Sequence, residues 1–271
     1  MDQDLQDIAN KIIKYLDQKN IQYCDVRADQ QIKNSALIEN NDIEYIKNNE
    51  NKGIGVRLIK NGTWSFCSIT NPNSFDKIKN ILDNTIKNLD YKNIKNKKIK
   101  LHSNPANKRE INFPVLKKTD IEELIKTGLE CNKIISSTPK IIKSITHASH
   151  TTNSKYFVNS EGSEILQNFT DVIMEMVATA HESGQTQSVN ITEGGRGGLE
   201  LITNKIQQSA KEISKKASEL IYAKPVKEEK ATVVMNPDFV SLLTHEILGH
   251  PSEADRVLGK EMAWAGGAWW K

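Results

Sequence analysis

The chain has 271 residues, enough for one large domain or two ordinary ones with a sizeable core. Hydrophobic residues make up 37% and charged residues 26%, and no apolar run approaches the length of a membrane-spanning helix, so the composition is that of a globular protein. Net charge is +3, from 37 basic and 34 acidic residues; since only five of the basic residues are Arg, the excess of Lys reflects compositional bias rather than a partner. Met1-Asp2-Gln3-Asp4 lacks the basic-then-apolar pattern of a signal peptide, and Cys24, Cys67 and Cys131 are few, odd in number and far apart. A cytoplasmic location without disulfides is the expectation.

Leu5, Ile8, Ile12 and Leu16 recur at helical spacing and predict a helix over 2–19. Short strand-like runs follow at 23–28, 36–38, 43–46, 53–59 and 63–69. Asn61-Gly62 between the last two is a hairpin signal, because it supplies both positive-φ positions of a type I′ turn. Phe75, Ile78, Leu82, Ile86 and Leu89 predict a helix over 74–89. Residues 91–118, polar and Lys-rich with Pro105 and Pro114, read as a linker. From Asp76 to Lys118 there are 11 Lys and 1 Arg against 4 acids, a formal +8. Sparse aromatic residues there favour a solvated surface over a nucleic-acid site.

Thr119 and Glu122 fit a capping box, with Thr119 as N-cap of the next helix. Strand-like segments run through 140–150, 156–159, 164–168 and 172–180, with a turn at 159–163 that places Gly162 at a left-handed position. The glycine-rich 193–198 reads as a loop, 204–222 as a helix and 231–235 as a short strand. The expected fold class is α+β, with mainly antiparallel strands and packed helices, followed by the start of a C-terminal β-rich domain. The expected organisation is an α+β region over 1–222 and a second unit over 223–271.

The chemistry is concentrated in Asn236-Pro237-Asp238 and the residues that follow, through His245-Glu246-Ile247-Leu248-Gly249-His250. Asn236 is a good N-cap, Pro237 suits the first helical position and Asp238 complements the positive helix end. Phe239, Leu242 and Leu243 give an apolar face expected to be buried. His-Glu followed by a second His is the pattern of a helix-borne zinc hydrolase, in which two imidazoles hold the metal and the Glu acts on a metal-bound water. The spacing is HExxxH rather than HExxH. On a regular α-helix, position i+5 lies about 140° round from i, so the two rings would splay. Either a π-bulge realigns them, or the helix breaks at Gly249 and Pro251. The competing reading is a surface His-Glu pair with a second His that suits the negative end of the helix dipole.

His245-Glu246-Ile247-Leu248-Gly249-His250-Pro251-Ser252-Glu253-Ala254-Asp255 resembles the zinc motif of the TldD/PmbA family of metallopeptidases. Cys24-Asp25-Val26-Arg27, Gly53-Ile54-Gly55-Val56-Arg57, Gly62-Thr63-Trp64-Ser65-Phe66, Asn159-Ser160-Glu161-Gly162-Ser163-Glu164 and Gly194-Gly195-Arg196-Gly197 agree in order. The resemblance implies the TldD-like branch, with His245 and His250 as Zn2+ ligands and Glu246 as general base. It implies hydrolysis of small or unfolded peptides in a homodimer or a heterodimer with a family homologue. It also implies Arg196 near a peptide carboxylate, while the position of Glu253 and Asp255 just after the motif makes them candidate acids supporting the ligands. The family's third ligand is a Cys in a β domain, expected beyond residue 271, which reads as a C-terminally truncated chain or a split gene. Glu253, His147, His150, His181 and Glu193 are the other conceivable donors. The alternative function is a non-catalytic partner subunit of a TldD/PmbA-type dimer.

Overall fold

A computed structural model of the chain describes residues 3–91, 99, 101–102, 104–202, 205–262 and 266–269. Parts of the expected helix starts at residues 2 and 204, of the linker (92–98, 100 and 103) and of the chain end (Trp270 and Lys271) lie outside the described residues. Two compact units emerge, Met1–Ala223 and Lys224–Lys271. No described helix is long and apolar enough to cross a membrane.

The first unit is built on a seven-stranded sheet. Its strands are β1 (Tyr23–Glu39), β2 (Asp42–Lys60), β3 (Thr63–Thr70), β4 (Lys108–Asn112), β5 (Ile141–Asn159), β6 (Glu164–Glu182) and β7 (Gln185–Arg196). The order is β3-β2-β1-β5-β6-β4, with β7 also on β6. All pairings are antiparallel except β4 with β6. The fold class is therefore α+β, as the sequence predicts. The short strands read from sequence are pieces of longer ones: 23–28 and 36–38 belong to one 17-residue strand. Their polar middles, such as Asp29–Asn34, obscure the strand in a hydrophobicity pattern, but backbone pairing with β2 and β5 runs through them without a break.

Three hairpins turn on pairs of positive-φ residues. Asn61 and Gly62 have φ of 54° and 72°, as expected; Asn40-Asn41 (49° and 73°) and Ser183-Gly184 (50° and 81°) do the same work. Gly162, at φ 89°, closes the β5–β6 turn. There the Asn159 Oδ1 accepts the backbone N–H groups of Glu161 and Ser163, and the Ser160 Oγ accepts that of Cys24.

Even-numbered positions of β1 and β5 face helices at both ends of the sheet. Cys24, Val26, Ala28, Tyr156 and Val158 form one core with α1 (Gln3–Asp17) and α2 (Phe75–Tyr91). Ala148 and the even positions 172–180 of β6 form a second core with α3 (Ile121–Ser136) and α4 (Lys205–Leu220). On the opposite face, the buried Asp25 accepts two bonds from Arg57, at 2.8 Å from Nε and 2.6 Å from Nη2. These two residues are register partners on β1 and β2, so two of the segments noted in the sequence meet in one structural pair.

Several local expectations are corrected. The segment 91–118 is not all linker: Lys108–Asn112 form β4, because its backbone finds the free side of β6. The N-cap of α3 is Asp120, not Thr119; the Asp120 carboxylate accepts the Glu122 N–H at 3.0 Å, and the Thr119 hydroxyl is buried without a partner among the described residues. Gly194 and Gly195 are not in a loop but in β7, opposite Ile173 and Val172. A Cβ on Gly194 would lie 2.0 Å from the Val172 carbonyl oxygen, so glycine is needed for close backbone approach. Residues 231–235 form no strand, and Val233 and Val234 stand 71% and 94% exposed. An apolar run makes a strand only where a neighbouring strand takes its backbone groups, and none does here among the described residues.

Glu200 ties the segment before α3 to the β7 exit. Its carboxylate accepts the backbone N–H groups of Gly198 and Lys117, each at 2.8 Å, and of Leu116 at 3.3 Å. Those bonds, Gly198 first, hold its pKa down to about 2, from 4.5. A depressed carboxylate contributes stability that is complete above its unfolded value and is lost as pH falls through the folded one. Glu200→Gln is therefore expected to flatten the loss of melting temperature between pH 4.5 and about 2 relative to the parent chain. Parallel pH–melting curves for the two proteins would count against the clamp.

Candidate metal centre

The second unit carries α5 (Pro237–Thr244). The Asn236 side chain accepts the Phe239 N–H at 2.9 Å, and Pro237 occupies the first turn, where its missing donor costs nothing. Phe239, Leu242 and Leu243 are 53%, 56% and 37% exposed rather than buried. Helical spacing places apolar residues on one face, but it cannot supply the surface that would cover them.

The helix does not continue as α past Thr244. Residues His245–Gly249 form a π turn, with the His250 N–H bonded to the His245 carbonyl, and His250–Ser252 tighten into a 3₁₀ turn. The extra residue in the π turn undoes the divergence of a regular i, i+5 pair. The His245 and His250 rings lie 4.5 Å apart between centroids, at 80° to each other. Pro251 has no N–H to extend a helical ladder, which helps the turn to change at this point. Gly249 sits beside the His245 ring, with a virtual Cβ 3.8 Å from Nδ1.

His245, Glu246 and His250 each offer a ligand atom, and these atoms lie within 4.8 Å of one another. This is the only such group of His, Cys, Asp and Glu among the described residues. Two imidazole nitrogens are donors that suit zinc, and a carboxylate beside them suits a base for a zinc-bound water. The two imidazoles lie close enough to share an ion, and the Glu246 Oε2 lies 3.7 Å from the His250 Nε2, beside the place the ion would take, so the residues present fit it. His245 and Glu246 are exposed, leaving room for water and a substrate.

Glu253 bonds to His250 Nδ1 at 2.9 Å, and its second oxygen accepts the Arg256 Nε at 2.9 Å. These partners, His250 first, hold the Glu253 carboxyl below its usual range. Asp255 is placed differently: its carboxylate accepts the Arg256 backbone N–H. Arg256 is the contributor that sequence reasoning missed; its only signal was a position three beyond Glu253.

The remaining candidates sit in the first unit, where all but His150, whose Nδ1 is buried without a partner among the described residues, are otherwise engaged. Arg196 pairs with Asp171 at 3.4 Å and stacks on Phe169 and Phe113, at 4.0 and 4.7 Å to the ring centroids. His147 lies 3.5 Å from Glu175, while His150 points to the other face of β5. The His181 Nδ1 is 2.8 Å from the Thr186 hydroxyl, and Glu193 accepts the Ser209 hydroxyl at 2.7 Å. Burial pushes the thiols of Cys24 and Cys131 up to about 11 and about 12, away from the thiolate that binds metals.

Similarity to known proteins is extensive. The model of domain 1 of the PmbA/TldA metallopeptidases matches residues 24–89, and the central-domain model matches 114–223. A metalloprotease of Methanocaldococcus jannaschii is 30% identical over 241 residues, covering 87% of this chain and 52% of that protein. A zinc metalloprotease TldD homologue of Saccharolobus solfataricus is 25% identical over 251 residues, covering 92% of this chain and 54% of that protein. The chain thus spans about half the length of these relatives. Among solved structures, a Bacteroides thetaiotaomicron protein described as a candidate modulator of DNA gyrase shares the fold with a TM-score of 0.78 at 16% identity, over 95% of this chain and 59% of that one. TldE from Thermococcus kodakarensis follows with a TM-score of 0.62 at 16% identity, over 78% of this chain and 47% of that one. By its matches to both domain models, over an α+β fold of this order, the chain belongs to the PmbA/TldD family of metallopeptidases.

Proposed function

We propose that the chain carries the reactive helix of a zinc peptidase that hydrolyses small or unfolded peptides. The observation that carries this reading is the π turn at His245–Gly249, which brings together two imidazoles that a regular helix would splay, with the Glu246 carboxylate beside them. His245 and His250 would hold Zn2+, His250 through Nε2 because Nδ1 faces Glu253. When bound there, zinc supplies Lewis-acid polarisation and lowers the pKa of water toward about 7. Glu246, 56% exposed and beside both rings, takes the proton of the attacking water and delivers it to the leaving amine. Assembly as a homodimer, or as a heterodimer with a family homologue, belongs to the same reading.

The test is zinc content followed by hydrolysis of a quenched fluorescent peptide. The purified chain is expected to take up one zinc per site, and His245→Ala or His250→Ala to lose most of it. Peptide cleavage is expected to stop on chelation and return with added Zn2+. Equal zinc uptake by the parent and both alanine variants would overturn the ligand assignment. Cleavage indifferent to chelation would overturn the reaction.

A further inference from the structure

We infer that Glu253 and Arg256 are positioning residues that fix the metal-binding orientation and tautomer of His250; the inference rests on the zinc reading above. An imidazole on a free side chain can present either nitrogen, and it rotates about two torsions. Here the Glu253 carboxylate lies 2.9 Å from Nδ1. A carboxylate at Nδ1 favours the tautomer with its proton on that nitrogen, which turns Nε2 to the metal side. That nitrogen faces Glu246, at 3.7 Å.

Arg256 holds the carboxylate in turn. Its Nε donates to the second Glu253 oxygen at 2.9 Å, and its guanidinium is always charged. The Arg256 side chain is only 4% exposed, against 44% for Glu253 and 20% for His250, so the anchor is the most enclosed of the three. Its Nη1 is buried without a partner among the described residues. A guanidinium kept buried with an unsatisfied donor is unfavourable on its own, which argues that its place is set by what Nε holds.

Two features set this apart from ordinary helix capping. Glu253 is the N-cap of α6 (Ala254–Val257), yet its side chain makes no cap bond and turns to His250 instead. Asp255, one residue before Arg256 and also a carboxylate, does not take part. The carboxylate at 253 therefore gives up local capping for the imidazole. The arrangement matches the support that carboxylates give to metal-bound histidines, whose loss typically lowers metal affinity about 10–100-fold.

The test uses the 271-residue chain and measures zinc affinity by chelator competition, the visible spectrum of the Co2+ form, and melting of the metal-free protein. Glu253→Ala is expected to weaken zinc binding about 10–100-fold. Arg256→Met is expected to weaken it less, with partial recovery in Arg256→Lys, and the Co2+ bands are expected to change in both Glu253→Ala and Arg256→Met. Should Glu253→Ala fail to fold, Glu253→Gln carries the same test, since it keeps the shape and removes the charge. Parental affinity and spectrum in the Glu253 and Arg256 variants, with zinc still bound by the parent chain, would overturn the positioning role and leave the zinc reading standing. Failure of the parent chain itself to bind zinc would overturn both.

Discussion

Glu246→Gln is expected to retain zinc and lose peptide hydrolysis, with kcat falling about 10²–10⁴-fold. The amide keeps the size of the side chain but cannot take the proton from water at neutral pH. His245 and His250 are untouched by the change, and the π turn is held by backbone bonds, so the metal site should persist. The measurement pairs zinc content with the rate of peptide cleavage under saturating substrate. Simultaneous loss of metal would recast Glu246 as a ligand. A rate within about 3-fold of the parent would remove it from proton transfer altogether, since a general base is worth far more than that.

The second large effect is on stability, far from the metal. Asn132 in α3 has no exposed surface and satisfies its whole amide. Its Oδ1 accepts the Asn41 backbone N–H at 2.8 Å and the Ser144 hydroxyl at 2.9 Å, and its Nδ2 donates to the Ile38 carbonyl and the Thr146 hydroxyl. The residue thus bolts α3 to the β1–β2 turn and to β5 at once. Asn132→Ala leaves several buried groups unpaired and opens a cavity, and is expected to cost about 3 kcal/mol, or about 6–12 °C in melting temperature. Asn132→Asp separates the terms: it preserves the volume but sets an acceptor against the Ile38 carbonyl, and is expected to be comparably damaging. A shift below about 2 °C for both variants would show that water replaces the network without penalty.

Legibility differed by kind of signal. The Asn61-Gly62 hairpin and the Asn236-Pro237 helix start were readable because one or two residues with unusual backbone preferences decide them locally. The length of β1 was not readable, since its polar middle is held by pairing with β2 and β5, residues distant in sequence. Asp120 displaced Thr119 as a cap by a choice between two good candidates one position apart. The β4 segment looked like linker because five residues with little apolar character acquire strand geometry only from the free side of β6.

The same division holds at the candidate site. His245, Glu246 and His250 stand out in sequence because they follow a well-capped helix start with an apolar face, and the need for an irregular turn followed from their spacing alone. Sequence by itself thus determined the family likeness and the α+β class, and it singled out the residues proposed to carry the chemistry. Only the tertiary structure decided that the turn is π rather than broken, that Glu253 rather than Asp255 meets His250, and that Arg256 stands behind it. The physical reason is range. Residue type and local backbone preference are written residue by residue, whereas which of two neighbouring carboxylates reaches an imidazole depends on a few degrees of backbone rotation through Pro251 and the 3₁₀ turn that follows the bulge.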